Sequence, residues 1–169
     1  MPREIHVMGE YWLPGRRERS PLGRRMRAAK DEGDADALRE LGDEVAGWAR
    51  SLPLPADPTV VPVPTAPGRD PRPVRALADA VAATLGVTTA DAMVRRHATA
   101  RLRDMPVEGR PAVVEAGGYE VVADVAGAEV VLVDDVILTG STLAHVAFRL
   151  RAAGAADVVA VVAARTRRS

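Results

Sequence analysis

The stretch Val130 to Leu143, V-V-L-V-D-D-V-I-L-T-G-S-T-L, constrains the fold of this chain more than any other. Its first four residues are β-branched or leucine and run unbroken, as in a strand buried on both faces, and two adjacent acids follow where such a strand leaves its sheet. Leu138 to Thr142 is short, hydroxyl-rich and centred on a glycine, and Leu143, Val146, Ala147 and Leu150 then recur at helical spacing. The pattern is strand, loop and helix N-terminus, with Asp134 and Asp135 at the strand's exit.

Unpaired amides at a helix start, with the helix dipole behind them, favour an anion, and small residues let the backbone approach phosphate oxygens. The hydroxyls of Thr139, Ser141 and Thr142 add donors. The two carboxylates would repel a phosphate, yet they can accept hydrogen bonds from a vicinal diol or hold a magnesium ion that touches a sugar. The expectation is a phosphorylated sugar, phosphate at one end and ribose at the other. An acid pair before a helix also serves as a metal site, a receiver-type phosphoacceptor or a capped turn. The weight therefore rests on the whole combination.

The stretch resembles the signature of the type I phosphoribosyltransferases, which bind 5-phosphoribosyl-1-pyrophosphate (PRPP). The resemblance implies that Asp134 and Asp135 take the ribose hydroxyls and a magnesium ion carried by PRPP, while Leu138, Thr139, Gly140, Ser141 and Thr142 cradle the 5-phosphate. Leu138 departs from the pattern. Such enzymes usually carry Thr, Ser, Ala, Val or Asp there, and purine-salvage members place an Asp close to the acceptor base. Leucine cannot take a proton, so ordinary purine salvage is not expected.

With 169 residues, 47% of them hydrophobic, the chain fits one domain with a sizeable core, expected to span residues 1–169. Its 23 basic and 23 acidic residues cancel, so no global field recruits nucleic acid or an anionic membrane. Cysteine is absent, which excludes disulfides, thiol catalysis and cysteine-bound metal clusters. No apolar span reaches 18 residues and no apolar signal core opens the sequence, so the cytoplasm is the expected location. Lys30 is the single lysine. A nucleotide-triphosphatase phosphate loop needs Gly-Lys-Ser/Thr and a receiver domain wants a late lysine, and neither is present. His6, His97 and His145 are too scattered to form a metal motif.

Along the chain, Ile5 to Trp12 alternates as a short strand, and Pro14-Gly15 stops it. A helix follows Ser20-Pro21, and Leu38, Leu41, Val45 and Trp48 mark the face of a second one ending near Arg50. Thr59 to Val63 is a strand whose proline places it at a sheet edge. A basic loop leads to a helix carrying Val74, Leu77, Ala78, Val81, Ala82 and Leu85, with Gly86 at the position of a left-handed cap. Tyr119 to Val125 and Val130 to Val133 read as strands; the last helix ends at Gly154, and Asp157 to Ala163 is the last strand. Between Arg95 and Glu115 no period holds, and a long irregular loop in a small domain is often a lid.

The run P-V-P with Arg69 and Arg72, and the segment A-A-K-D-E-G-D at Ala28 to Asp34, resemble the ComF-like phosphoribosyltransferases. The zinc-binding cysteines many of those chains carry are missing. Thr99 and Arg110 fall near that family's loop Thr and Arg, while Leu102 and Val113 stand where Gln and Asn are expected. The resemblance implies that Pro64, Thr65, Arg69 and Arg72 bind pyrophosphate, and that Arg96, Arg101, Arg103 and Arg110 belong to a flexible, arginine-rich lid.

The expected fold is α/β: a mainly parallel sheet with helices on both faces, a small N-terminal hood (residues 1–52) and a PRPP-binding core (residues 53–169). The expected activity is displacement of pyrophosphate from PRPP by an unidentified acceptor. The alternative is a non-catalytic PRPP sensor or a DNA-uptake and recombination accessory protein, with DNA or a DNA-processing protein as partner.

Overall fold

Four strands form a parallel sheet in the order β1-β6-β5-β2: β1 is Ile5–Glu10, β2 Thr59–Pro62, β5 Glu129–Ile137 and β6 Asp157–Arg165. The computed structural model of the protein describes residues 1–70, 72–96 and 118–166. A separate antiparallel pair joins β3, Met93–Arg95, to β4, Tyr119–Val121. The helices are α1 (Pro21–Asp31), α2 (Ala35–Ala49), α3 (Arg72–Leu85) and α4 (Ser141–Ala152).

The alternation of β5 builds two cores. Val131 and Val133, with Val60, Val159 and Val161, face α1, α2 and α3. Val130 and Leu132, with Val61, Val158, Ala160 and Val162, face α4 and the β3-β4 pair. Successive side chains of a strand point to opposite faces, so an unbroken apolar run is what a sheet covered on both sides requires. Each fully buried valine or leucine contributes roughly 1.5–3 kcal/mol, so the central strands are costly to disturb.

Helix ends are set by local chemistry. Ser20 caps α1 by accepting the Gly23 N–H at 2.9 Å, with Pro21 in the first turn, and donates its own hydroxyl to the Glu10 carbonyl at 2.6 Å. Asp34 caps α2 by accepting the Asp36 and Ala37 amides, both at 3.0 Å. Gly86 ends α3 with φ 75°, as expected of a left-handed cap.

Two strand boundaries need correction. The strand through the signature does not stop at Val133: it runs to Ile137, with Asp134 opposite Val162 and Ile137 opposite Arg165, so the acids lie inside the strand. The neighbour β6 extends equally far and keeps the ladder satisfied past the charged pair. Within residues 1–52, the segment expected as a hood, β1 is an edge strand of the main sheet, and α1 and α2 share one apolar cluster with α3. The strand at Tyr119 stops at Val121 and pairs with β3, a three-residue strand too short to register as a sequence period. As expected, β2 with its Pro62 is an edge strand.

Candidate functional site

The carboxyl ends of β2 and β5, the last turn of α1 and the first turn of α4 surround a cavity of about 410 Å³. Its walls include Lys30 and Asp31 from α1, Pro64, Thr65 and Arg69 from the loop after β2, Asp134 and Asp135 from β5, and Thr142 from α4. Arg95 and Tyr119, from the β3-β4 pair, close one side. A crevice beyond the carboxyl ends of parallel strands is where open α/β sheets bind ligands.

Asp135 is buried, and its two oxygens are engaged: Oδ1 accepts the Val136 N–H at 2.7 Å, and Oδ2 accepts from the ammonium of Lys30. Asp134 accepts the Asp135 N–H at 2.9 Å. Burial, then the neighbouring Asp135 carboxylate, hold the Asp134 carboxyl well above the usual carboxylate range. Burial likewise pushes the Tyr119 phenol up, against the opposing pull of Arg95, whose guanidinium lies 5.2 Å from the Tyr119 ring centre.

Gly140 precedes α4 with φ 80°, and no side chain caps the helix. The hydroxyls of Thr139 and Ser141 lie 2.8 Å apart, and no acid occupies the first turn. This is an anion-ready helix start.

Of the residues expected from sequence, the cavity wall gathers Pro64, Thr65, Arg69, Asp134, Asp135 and Thr142. Leu138, Thr139 and Gly140 lie on the adjoining turn and Ser141 opens α4; none of the four lines it. Arg72 is not with Arg69: Asp70 holds its Nε at 2.7 Å and accepts its backbone N–H at 3.0 Å, and Arg72 borders a neighbouring depression with Arg75 and Asp91. The side chain of Arg96 pairs with Glu120 on the surface. Arg101, Arg103 and Arg110, with Thr99, Leu102 and Val113, lie outside the described residues. Sequence reasoning did not assign Lys30, Arg95 or Tyr119 to the site. For Lys30 two signals were available: it is the only lysine among 23 basic residues, and it lies in the Ala28 to Asp34 segment that carries the family resemblance.

Among the described residues no group of three or more acidic or histidine side chains can hold a metal ion. The acid pair offers two carboxylates, one of them already on Lys30. Magnesium fits here where a ligand's own oxygens complete its shell, since this ion keeps several waters and binds through one or two carboxylates plus phosphate.

A parallel α/β sheet with an acid-lined crevice at its carboxyl edge and a helix N-terminus beside it places the chain in the class of open α/β proteins, with a site chemically suited to a phosphorylated small molecule. The sequence profile of the phosphoribosyl transferase domain matches residues 75–169, more than half of the chain, and the chain belongs to that family. A solved structure of the allosteric regulatory enzyme of purine biosynthesis is similar over 75% of this chain, at 22% identity and a TM-score of 0.55, a likeness of fold. This chain covers 26% of that enzyme's length. Phosphoribosylpyrophosphate synthetase from Mycobacterium smegmatis aligns at 24% identity over 78% of this chain and 33% of its own, with a TM-score of 0.41. No curated protein matches. No helix among the described residues is long and apolar enough to cross a membrane.

Proposed function

We propose that this protein binds PRPP, or a closely related phosphorylated ribose, in the crevice at the carboxyl edge of its sheet, and transfers the phosphoribosyl group to an acceptor with release of pyrophosphate. The observation that carries the reading is the meeting of Thr65 and Arg69, Asp134 and Asp135, and Thr142 around one cavity. These groups come from three separate segments and offer both kinds of partner a sugar carrying phosphate at each end requires. Membership of the phosphoribosyl transferase family supports the ligand class.

In this reading the acids receive the ribose diol, Thr142 and the amides at the start of α4 receive the 5-phosphate, and Thr65 and Arg69 receive the pyrophosphate. The bond from the ribose C1 to the pyrophosphate oxygen breaks with its electron pair leaving on pyrophosphate, and Arg69 stabilises that charge. Magnesium arriving with the ligand would supply further charge stabilisation. No protein nucleophile is needed. The P-V-P run with Arg69, and the segment Ala28 to Asp34 that carries Lys30, support a ComF-like member of the family.

Calorimetry with magnesium and PRPP tests the reading. Binding is expected, and Asp134→Asn combined with Asp135→Asn should weaken it strongly. Equal affinity in the two proteins would overturn it. A screen of PRPP consumption against bases, amines and DNA separates a transferase from a sensor.

A further inference from the structure

We propose that Lys30 is a built-in counter-cation for the acid pair, which keeps free divalent ions off Asp135 so that a metal enters only together with a phosphorylated ligand. The second half rests on the function proposed above. The first half stands on geometry alone.

Asp135 has no idle oxygen, one taking the Val136 N–H and the other the Lys30 ammonium. Its side chain is 11% exposed and that of Lys30 42% exposed, so of the two partners the lysine is the more open to solvent. With Lys30 in place the group formed by Lys30, Asp134 and Asp135 carries less negative charge than the two carboxylates alone, and a bare hydrated ion gains correspondingly less from docking there. No third acid or histidine among the described residues adds to its hold.

The lysine also has somewhere to go. A second cavity of about 240 Å³, lined by Tyr11, Met26, Val136 and Thr166, shares Lys30 and Asp31 with the main one. Its walls are fixed: Tyr11 donates its N–H to the Arg165 carbonyl at 2.8 Å, Thr166 donates its N–H to the Ile137 carbonyl at 2.8 Å, and Trp12 Nε1 donates to the Thr166 hydroxyl at 3.0 Å. Lys30 borders both cavities, so the second offers its side chain room away from Asp135. A chain that uses arginine for every other basic position places here the one cation that is a compact point charge on a flexible stem, whereas an arginine fork would grip the carboxylate in two places and release it less readily.

The test reads the free Mn²⁺ signal by electron paramagnetic resonance on the full chain, with no ligand added. Lys30→Met and Lys30→Gln should each take up Mn²⁺ at least about tenfold more tightly than the native protein, because a unit charge beside the carboxylate is worth more than one decade. Lys30→Arg should behave as the native protein does, and adding Asp135→Asn to Lys30→Met should abolish the gain. Equal Mn²⁺ uptake by the native protein and both neutral variants, whether high or absent, overturns the proposal. Calorimetry with ribose 5-phosphate and magnesium forms the second arm, in which Lys30→Arg should bind more weakly than native because the pair is harder to break. A native protein that binds no ribose 5-phosphate overturns the functional reading, and with it the ligand half of this proposal, while the Mn²⁺ result still decides the exclusion.

Discussion

Asp134 and Asp135 are consecutive in β5 yet belong to different faces of the sheet. Asp134 continues the row of Val130 and Leu132 towards α4, and Asp135 continues the row of Val131 and Val133 towards α1, where Lys30 meets it. Both nevertheless line one crevice towards the carboxyl end of the sheet. One carboxylate is thereby neutralised by an ammonium and the other stands half-buried beside a like charge.

That asymmetry gives a pH signature. Burial and the Asp135 charge hold the Asp134 carboxyl well above its ordinary value of 3.8, so the folded protein binds this proton more tightly than the unfolded chain does. The contribution to stability falls as pH rises from the ordinary value through the raised one, and the cost is complete above it. Asp134→Asn should therefore be more resistant to urea than the native protein at pH 8, the difference shrinking as pH approaches 4. Unfolding midpoints at several pH values measure this; a difference that grows towards acid would contradict it.

Arg69 and Arg72 should separate cleanly. Arg69 lines the crevice and its side chain makes no ion pair among the described residues, whereas Arg72 is bound to Asp70 and lowers that carboxyl. Arg69→Ala should weaken PRPP by about 1.5–3 kcal/mol, the usual value of a hydrogen bond to a charged group, and ribose 5-phosphate much less. Arg72→Ala should leave both nearly unchanged. Calorimetry with the two ligands decides, and equal losses from the two substitutions would show that Arg72 leaves Asp70 when ligand arrives.

Two helical glycines should respond oppositely to alanine. A Cβ on Gly23 of α1 would lie 2.1 Å from the Tyr11 carbonyl oxygen, a backbone atom held in turn by the Ser20 N–H at 3.0 Å. Gly23→Ala should cost about 1–3 kcal/mol as overpacking does. A Cβ on Gly47 of α2 meets nothing within 4 Å, and Gly47→Ala should stabilise by about 0.4–1 kcal/mol by restricting the unfolded chain. Denaturant midpoints read both, and a stable Gly23→Ala would mean that α1 packs less closely on the Tyr11 turn.

What sequence made legible follows from where the physics is local. The buried run of β5, the helix start after Ser20-Pro21, the cap at Gly86 and the stripes of α2 and α3 are set by neighbours in the chain, and each falls where its pattern put it. The edge position of β1 was not legible, because a six-residue strand of intermediate burial shows no period that distinguishes an edge of the main sheet from a separate arm. The pairing of Arg72 with Asp70 was hidden for a related reason: a side-chain orientation two residues away leaves no trace in composition. Lys30 and Asp135 meet across 105 positions, which no local pattern encodes.

Leu138 bears on the acceptor. It stands one residue after β5 and is 46% exposed, on the turn that leads into α4 and away from the cavity wall. Its methyl surface cannot take a proton, and in the proposed function the nearest carboxylates, Asp134 and Asp135, are committed to ribose. General-base help contributes about 10²–10⁴-fold where an enzyme uses it, so a purine acceptor at this site would react slowly. Incubation with magnesium, PRPP and adenine, guanine, hypoxanthine or xanthine should yield no rapid nucleotide formation by chromatography. Leu138→Asp should not restore it, because a carboxylate at that exposed position would stay hydrated rather than reach into the crevice. Rapid product from the native protein, abolished by Asp134→Asn with Asp135→Asn, would show that proton transfer is supplied from elsewhere in the wall. Product gained only with Leu138→Asp would show instead that the turn folds inward when PRPP binds.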